Sequence, residues 1–471
     1  MSHEDIFFMS AAELRAKIRT KELSCVELTE KLIDRIEKIN PIINAYCTPT
    51  FERARRSAKK TDEAIKKGEK IGLLEGIPAS IKDNIITKDI RTTFGSKIYE
   101  NHIPEEDEVV AKRLKKEGIV LLGKSNTPAF GHKAVTENLI FGTTRNPWNL
   151  ERTPGGSSGG AAASIASGIG YLAIGSDEGG SVRIPSCFCG IFGLKPSFGR
   201  IPKYPSYGIM WNTFNHYGPL VRYVEDAALM LDAIAGPHHG DRDSLPKERV
   251  SYLEIFNIKP KNLKIGYSTD LGFVRSIEEE VKENVINAAK KFEEFGWDVE
   301  EANIKLKKPE LAYNLLITAG LGYDLKSYVE QEDLEISTSL KKMIQAGVTY
   351  TANDLKNAQM QRKTLFENIY KFFKVYDILI TPTTAVSAFE LGKMYPEKIA
   401  GKRASPTAWM PFTYPFNMSG HPAASIPSGW TSDGLPIGMQ IVGQRFDEAT
   451  VLQASKAFEE IAPWQDKRPK L

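Results

Sequence analysis

The chain predicts an α/β protein whose sheet is covered by helices on both faces, and three features carry that expectation. From Gly76 onward, short apolar runs alternate with helical segments: Ile77 to Ile81, Ile119 to Leu122, Tyr171 to Ile174, Leu263 to Tyr267 and Ile378 to Ile380. Continuous apolar strands of this kind are those buried on both faces. The stretch 298–377 is mostly helical, and strands return at Ala423 to Pro427 and Ile437 to Val442. No Ser/Gly linker, composition break or internal repeat divides the sequence. A single domain over residues 1–471 is therefore expected, although length alone suggests about three.

Taken in order, the N-terminal segment of about residues 10–70 reads as helical. Ser10 with Glu13, and Ser24 with Glu27, have capping-box spacing, and Leu28, Leu32, Ile36 and Ile39 recur at helical intervals until Asn40-Pro41, where the helix is expected to stop. A further helix is expected over Phe51 to Lys67, with Arg53, Arg55, Arg56, Lys59 and Lys60 forming a solvated face. Ala161 to Gly175 is weakly polar but interrupted by Ser164, Ser167, Gly168 and Gly170. It falls short of the ~20 residues of a membrane span and reads as a buried helix followed by a strand.

Composition narrows the partners. With 41% hydrophobic and 26% charged residues and a net charge of +3, the 471-residue chain has an ordinary globular balance. No block of like charges points to nucleic acid or a membrane surface, so the expected partner is a small molecule. Four cysteines are too few for a disulfide framework, and the opening Met1-Ser2-His3-Glu4-Asp5 lacks the basic and apolar regions of a secretory signal. A cytoplasmic location is expected, with no cofactor and no metal.

Three motifs point elsewhere. Gly118 to Ser125 fits G-x-x-x-x-G-K-[ST], but its four middle residues are apolar and Asn126-Thr127-Pro128 follows, where a phosphate cradle needs a loop and then a helix. Gly155-x-Ser157-x-Gly159 and Gly156-x-Ser158-x-Gly160 both fit a nucleophile elbow, which needs a later acid and histidine; His421 is the late candidate, but it lies in a Gly-His-Pro loop. Cys187-Phe188-Cys189 read as a strand would aim both thiols to one side, yet no second pair exists to complete a metal site.

The remaining chemistry lies in three segments. A strand over Ala79 to Asp83 puts Ser80, Lys82 and Asn84 on one face and Asp83 on the other, so Lys82 avoids its neighbouring carboxylate. A lysine base near neutral pH needs its pKa lowered by roughly 3 units, about 4 kcal/mol, and desolvation is the expected source. Ser157 and Ser158, between paired glycines, either cap the following helix or pass a proton between a nucleophile and a base. Glu178-Gly179-Gly180-Ser181 offers consecutive backbone N–H groups with little obstruction, an array suited to the oxyanion formed when Ser181 attacks an amide carbonyl.

On these residues the chain resembles the amidase signature hydrolases. The likeness is most specific over about 76–236, through Gly76-Ile77-Pro78 with Lys82-Asp83, Gly123-Lys124-Ser125-Asn126, Asn146-Pro147-Trp148-Asn149, Pro154 to Gly160, Gly175 to Pro185 and Gly193-Leu194-Lys195-Pro196. Phe412 to Asn417 and Leu435 to Gly438 add weaker agreement. The resemblance implies a large mixed β-sheet sandwiched between layers of α-helices. It also implies a Ser-cisSer-Lys triad of Ser181 as nucleophile, Ser157 as bridging serine and Lys82 as base, with Glu178, Gly179 and Gly180 in the oxyanion and substrate-binding loop. The implied reaction is hydrolysis of a small carboxylic acid amide through an acyl-enzyme, and a homodimer is in keeping with the family.

Two departures bear on substrate choice. Glu178 stands where relatives often carry a small or uncharged residue; facing the pocket, it would disfavour acidic substrates, and facing away it would offer only its N–H. The ammonia-releasing component of glutamine-dependent tRNA amidotransferases, the alternative reading, carries a glutamine-gripping acid where this chain has Met410. A free-standing amidase with an apolar acyl pocket, touched by aromatics such as Phe130, Trp211 or Trp409, is expected.

Overall fold

The computed structural model describes residues 5–205, 213–258, 260, 262–331 and 335–471. Its main sheet has eleven strands. In chain order they are β1 (Tyr46–Pro49), β2 (Pro78–Lys82), β3 (Val120–Ser125), β4 (Leu172–Asp177), β5 (Phe192–Lys195), β6 (His216–Val221), β7 (Lys264–Tyr267), β8 (Asp298–Glu301), β9 (Ile378–Pro382), β10 (Ala423–Trp430) and β11 (Pro436–Gly443). They lie side by side in the order β1-β3-β2-β4-β6-β5-β10-β11-β9-β7-β8. β2 runs parallel to both β3 and β4, and β7 is parallel to β8 and β9. The pairings between β4 and β9 are antiparallel, so the sheet is mixed.

Side-chain alternation along each strand feeds two apolar layers. β9 sends Ile378 and Ile380 into a core shared with the helices Cys25–Ile43, Val224–Ile234, Glu279–Lys290 and Glu448–Ile461. Leu379, between them, enters a second core built with the helices Glu310–Val329, Thr338–Gly347 and Ala352–Phe372. The sheet is thus covered on both faces, as the apolar runs predict.

The differences from expectation have local causes. Pro41 does not stop its helix, which continues to Ile43 and ends on Asn44 in the left-handed region. The turn beyond Pro41 is held by the Asn44 N–H on the Asn40 carbonyl at 2.7 Å, while the Asn40 side chain accepts from the N–H of Ala45 and Tyr46. β1 and β8 are the sheet edges, where Pro49 and the polar run Asp298 to Glu301 are tolerated but give no apolar signal. β6 contains Pro219, a residue that argues against a strand; its register with β5 covers only Val221 and Leu220, so Pro219 interrupts no ladder on that side. Cys187 and Cys189 lie on the helix Arg183–Cys189 and not on a strand, so their thiols do not share a face. Both are buried, and no group of three His, Cys, Asp or Glu side chains among the described residues is arranged to hold a metal ion.

Candidate active site

Because β2 and β4 are parallel neighbours, their C-terminal ends emerge at one edge of the sheet, where α/β proteins commonly place their sites. Lys82 is the last residue of β2, and Ser176 and Asp177 end β4. The Lys82 Nζ donates to the Ser157 Oγ at 2.7 Å and to the Ser176 Oγ at 2.9 Å. Asn84, on the same face as Lys82, also donates to the Ser176 Oγ at 2.9 Å. Asp83 faces the other way and accepts from the Thr93 N–H and hydroxyl. Lys82 is fully buried, and burial lowers its pKa to about 8 against the opposing pull of Glu178 and then Asp177.

Ser157 reaches this position from the turn before the helix Gly159–Ala166, and the Gly156-Ser157 peptide is cis. The Ser158 N–H donates to the Ser181 carbonyl at 3.2 Å, joining that turn to the loop after β4. Ser158 makes no side-chain cap; its hydroxyl donates to the Ser176 carbonyl at 3.2 Å. The Ser181 hydroxyl has no hydrogen-bond partner among the described residues and lines a cavity of about 620 Å³. Gly131, also on that wall, has φ +69°, and a Cβ there would sit 3.2 Å from the Ser157 Oγ.

The loop from Glu178 to Ser181 is shaped by a buried ion pair. Asp177 and Arg183 are both fully buried, and the Arg183 Nη2 lies 2.8 Å from the Asp177 Oδ1. The Asp177 carboxylate also accepts from the N–H of Gly180 at 2.8 Å and of Val182 at 3.1 Å, and from the Asn417 Nδ2 at 2.8 Å. Burial opposes ionisation of Asp177, but Arg183 and these donors hold its carboxyl well below the usual carboxylate range. One expectation changes here. The Gly180 N–H donates to Asp177, so it is not free to meet an oxyanion as the sequence reading expects; the donors left for the proposed role are the N–H groups of Gly179 and Ser181. Gly179 is fixed from outside: its carbonyl accepts from the Thr413 hydroxyl at 2.6 Å, and a Cβ would fall 1.9 Å from the Tyr313 hydroxyl.

Glu178 faces the cavity. It is 5% exposed, and its Oε2 is buried with no hydrogen-bond partner. Burial raises its pKa, with Lys82 acting in the opposite sense. Trp409 and Met410 form apolar wall together with Ile317, Met343, Met394 and Tyr395. Phe130 does not reach the cavity; it packs against Phe94 and Tyr99. Trp211 lies outside the described residues.

The rejected motifs find structural roles. Val120 to Ser125 is β3, and the Lys124 Nζ is buried against the Ile85 carbonyl and the hydroxyls of Thr87 and Thr92. His421 is buried, bonded to the Ser419 hydroxyl at 2.9 Å and stacked on Phe373. Sequence reasoning missed Ser176, the Asp177–Arg183 pair and the roof over Gly179. Ser176, Asp177 and Arg183 lie inside the Gly175 to Pro185 stretch that carries the resemblance, whereas Tyr313 and Thr413 are brought in only by the tertiary fold.

Fold and site together define a hydrolase of mixed α/β architecture with a serine-lined cavity. The chain belongs to the amidase family, whose model matches residues 27–452, and it is an amidase acting on amide C–N bonds. It is 38% identical to the A-type component of a glutamyl-tRNA(Gln) amidotransferase of Carboxydothermus hydrogenoformans, covering 99% of this chain and 100% of the relative. It is 37% identical to an acylamidase of Rhodococcus erythropolis over 100% of this chain and 98% of the relative. Among solved structures, a bacterial aryl acylamidase of the amidase signature family superposes with a TM-score of 0.89 at 31% identity, covering 97% of both chains. A 6-aminohexanoate cyclic dimer hydrolase does so at 0.90 and 29%, covering 98% of this chain and 99% of that one.

Proposed function

We propose that the chain is a stand-alone amidase, working as one domain, that hydrolyses small amides with an apolar acyl group through a Ser181 acyl-enzyme. The observation that carries this reading is the 2.7 Å bond from the Lys82 Nζ to the Ser157 Oγ, beside a cavity on which Ser181 opens. Neutral Lys82 takes the Ser157 proton as Ser157 takes that of Ser181, whose hydroxymethyl turns toward Ser157 without breaking a hydrogen bond. Ser181 attacks the carbonyl carbon, and the N–H groups of Gly179 and Ser181 hold the oxyanion. The proton returns through Ser157 to the departing nitrogen, and water then releases the acid by the same relay.

The apolar wall of Ile317, Met343, Trp409 and Met410 supports an aliphatic or aromatic acyl group. The acylamidase and aryl acylamidase relatives point the same way. A panel of aliphatic and aryl amides tests the reading: release of ammonia or amine by the purified chain supports it, and none across the panel counts against it. The identity to an amidotransferase component favours a second reading, as the ammonia-releasing part of a tRNA-dependent complex. Met410, standing where the resemblance places a glutamine-gripping acid in amidotransferase components, weighs against it. Glutamine hydrolysis dependent on co-purifying partner proteins would support the second reading, whereas a homodimer active alone would support the first. No helix among the described residues is long and apolar enough to cross a membrane; a cytoplasmic location belongs to the proposal.

A further inference from the structure

The wall beside Lys82 carries two acids with different surroundings. Asp177 is matched by the Arg183 guanidinium and by backbone and Asn417 donors. Glu178 has no cation within ion-pair distance among the described residues, and one of its oxygens is buried without a partner. The groups that act on it are Lys82, Asp177, the Ser176 hydroxyl and Lys203. Burial raises Tyr217 and Tyr313 and keeps them neutral near pH 7; the Glu178 charge adds to this at both, behind Glu108 in the case of Tyr217. Of the cavity's other titratable groups, Lys133 pairs with Glu137, His132 is lowered by burial to about 4 and is neutral, and Lys342 is exposed. The Ser176 Oγ accepts from Lys82 and from Asn84, which leaves its own proton to be donated onward, and Glu178, two residues along the chain, is an acid on which its hydroxyl acts.

We propose that Glu178 is a positioning residue for the base: its carboxylate, unmatched by any cation of its own, holds a proton on Lys82 across Ser176 and so reserves turnover for alkaline conditions. This rests on Lys82 being the base of the proposed reaction. An anion near an ammonium favours the charged form. Burial alone would take Lys82 lower; Glu178 is the largest opposing influence on it, ahead of Asp177. Replacing the carboxylate by a neutral isostere therefore frees Lys82 at lower pH. Activity near neutrality should rise, not fall, when this acid is removed.

The test is the pH dependence of kcat/KM on one uncharged amide, for the wild type, Glu178→Gln and Glu178→Asp, with a fluorophosphonate titration counting reactive Ser181 in each. The expected wild-type profile rises through a limb near 8. In Glu178→Gln the limb moves to lower pH by about one unit, about a tenfold gain on its acidic side, while Glu178→Asp keeps the wild-type limb. A limb that stays in place in Glu178→Gln, moves to higher pH, or gives way to an equal loss at every pH with unchanged titratable serine would overturn the proposal. Failure of the underlying reading looks different: Lys82→Ala would then keep its activity, or the wild type would show no limb at all.

Discussion

Replacing Arg183 by Met should destabilise the protein by about 3 kcal/mol and loosen the loop that carries Ser181, the proposed nucleophile. Arg183 is fully buried and donates from Nε and Nη2 to Asp177, from Nη1 to the Thr413 carbonyl and Gln440, and from Nη2 to Asn417. Methionine fills much of the volume but leaves the Asp177 charge without its cation. Breaking a buried pair from one side costs roughly 3–5 kcal/mol, and the lower end applies because Asp177 keeps the Gly180, Val182 and Asn417 donors. At about 2.1 cal/mol/K per residue, unfolding 471 residues carries an entropy of about 1 kcal/mol/K, so Tm should fall by about 3 °C. Calorimetry and urea titration read the stability, and kcat on an aryl amide, expected to fall at least about tenfold, reads the loop.

The pH sign follows from the depressed Asp177 carboxyl. Its stabilisation is full above the unfolded value of about 3.9 and is lost as pH falls from there toward the lower folded value. The gap between wild type and Arg183→Met should therefore narrow in acid below about pH 4. Adding Asp177→Asn to Arg183→Met removes the orphaned charge and should recover part of the loss. A single-variant change below about 1 kcal/mol, or a double variant equal to the sum of the two singles, would refute the reasoning.

Other outcomes follow from the same geometry. Lys82→Ala should abolish turnover while circular dichroism stays native; near-normal activity would remove lysine from the relay. Gly179→Ala places a methyl 1.9 Å from the Tyr313 hydroxyl. It should lower kcat about tenfold or more, with partial recovery in the Gly179→Ala/Tyr313→Phe double variant measured under the same conditions. Met410→Glu puts a carboxylate into the apolar wall and should raise KM for hydrophobic amides about tenfold; an unchanged KM would place the acyl group elsewhere.

Much of this molecule was legible in its sequence, for stated physical reasons. β2, β3, β4 and β9 are buried on both faces and so announce themselves as apolar runs, and period-two alternation correctly put Lys82 and Asn84 on one face with Asp83 on the other. The edge strands β1 and β8 were not legible because half-exposed edges need no apolar pattern, and β6 was hidden by Pro219. Glu178's orientation could not be read, since a loop residue follows no period. Nor could the loss of the Gly180 N–H to Asp177, which depends on a carboxylate held in place by Arg183 and by Asn417 from a helix far along the chain.

Mass-spectrometric mapping of the residue labelled by a fluorophosphonate probe bears most directly on the nucleophile. The adduct should lie on Ser181, form in wild-type protein, and disappear in Ser181→Ala. An adduct on Ser158, or undiminished labelling of Ser181→Ala, would contradict the account.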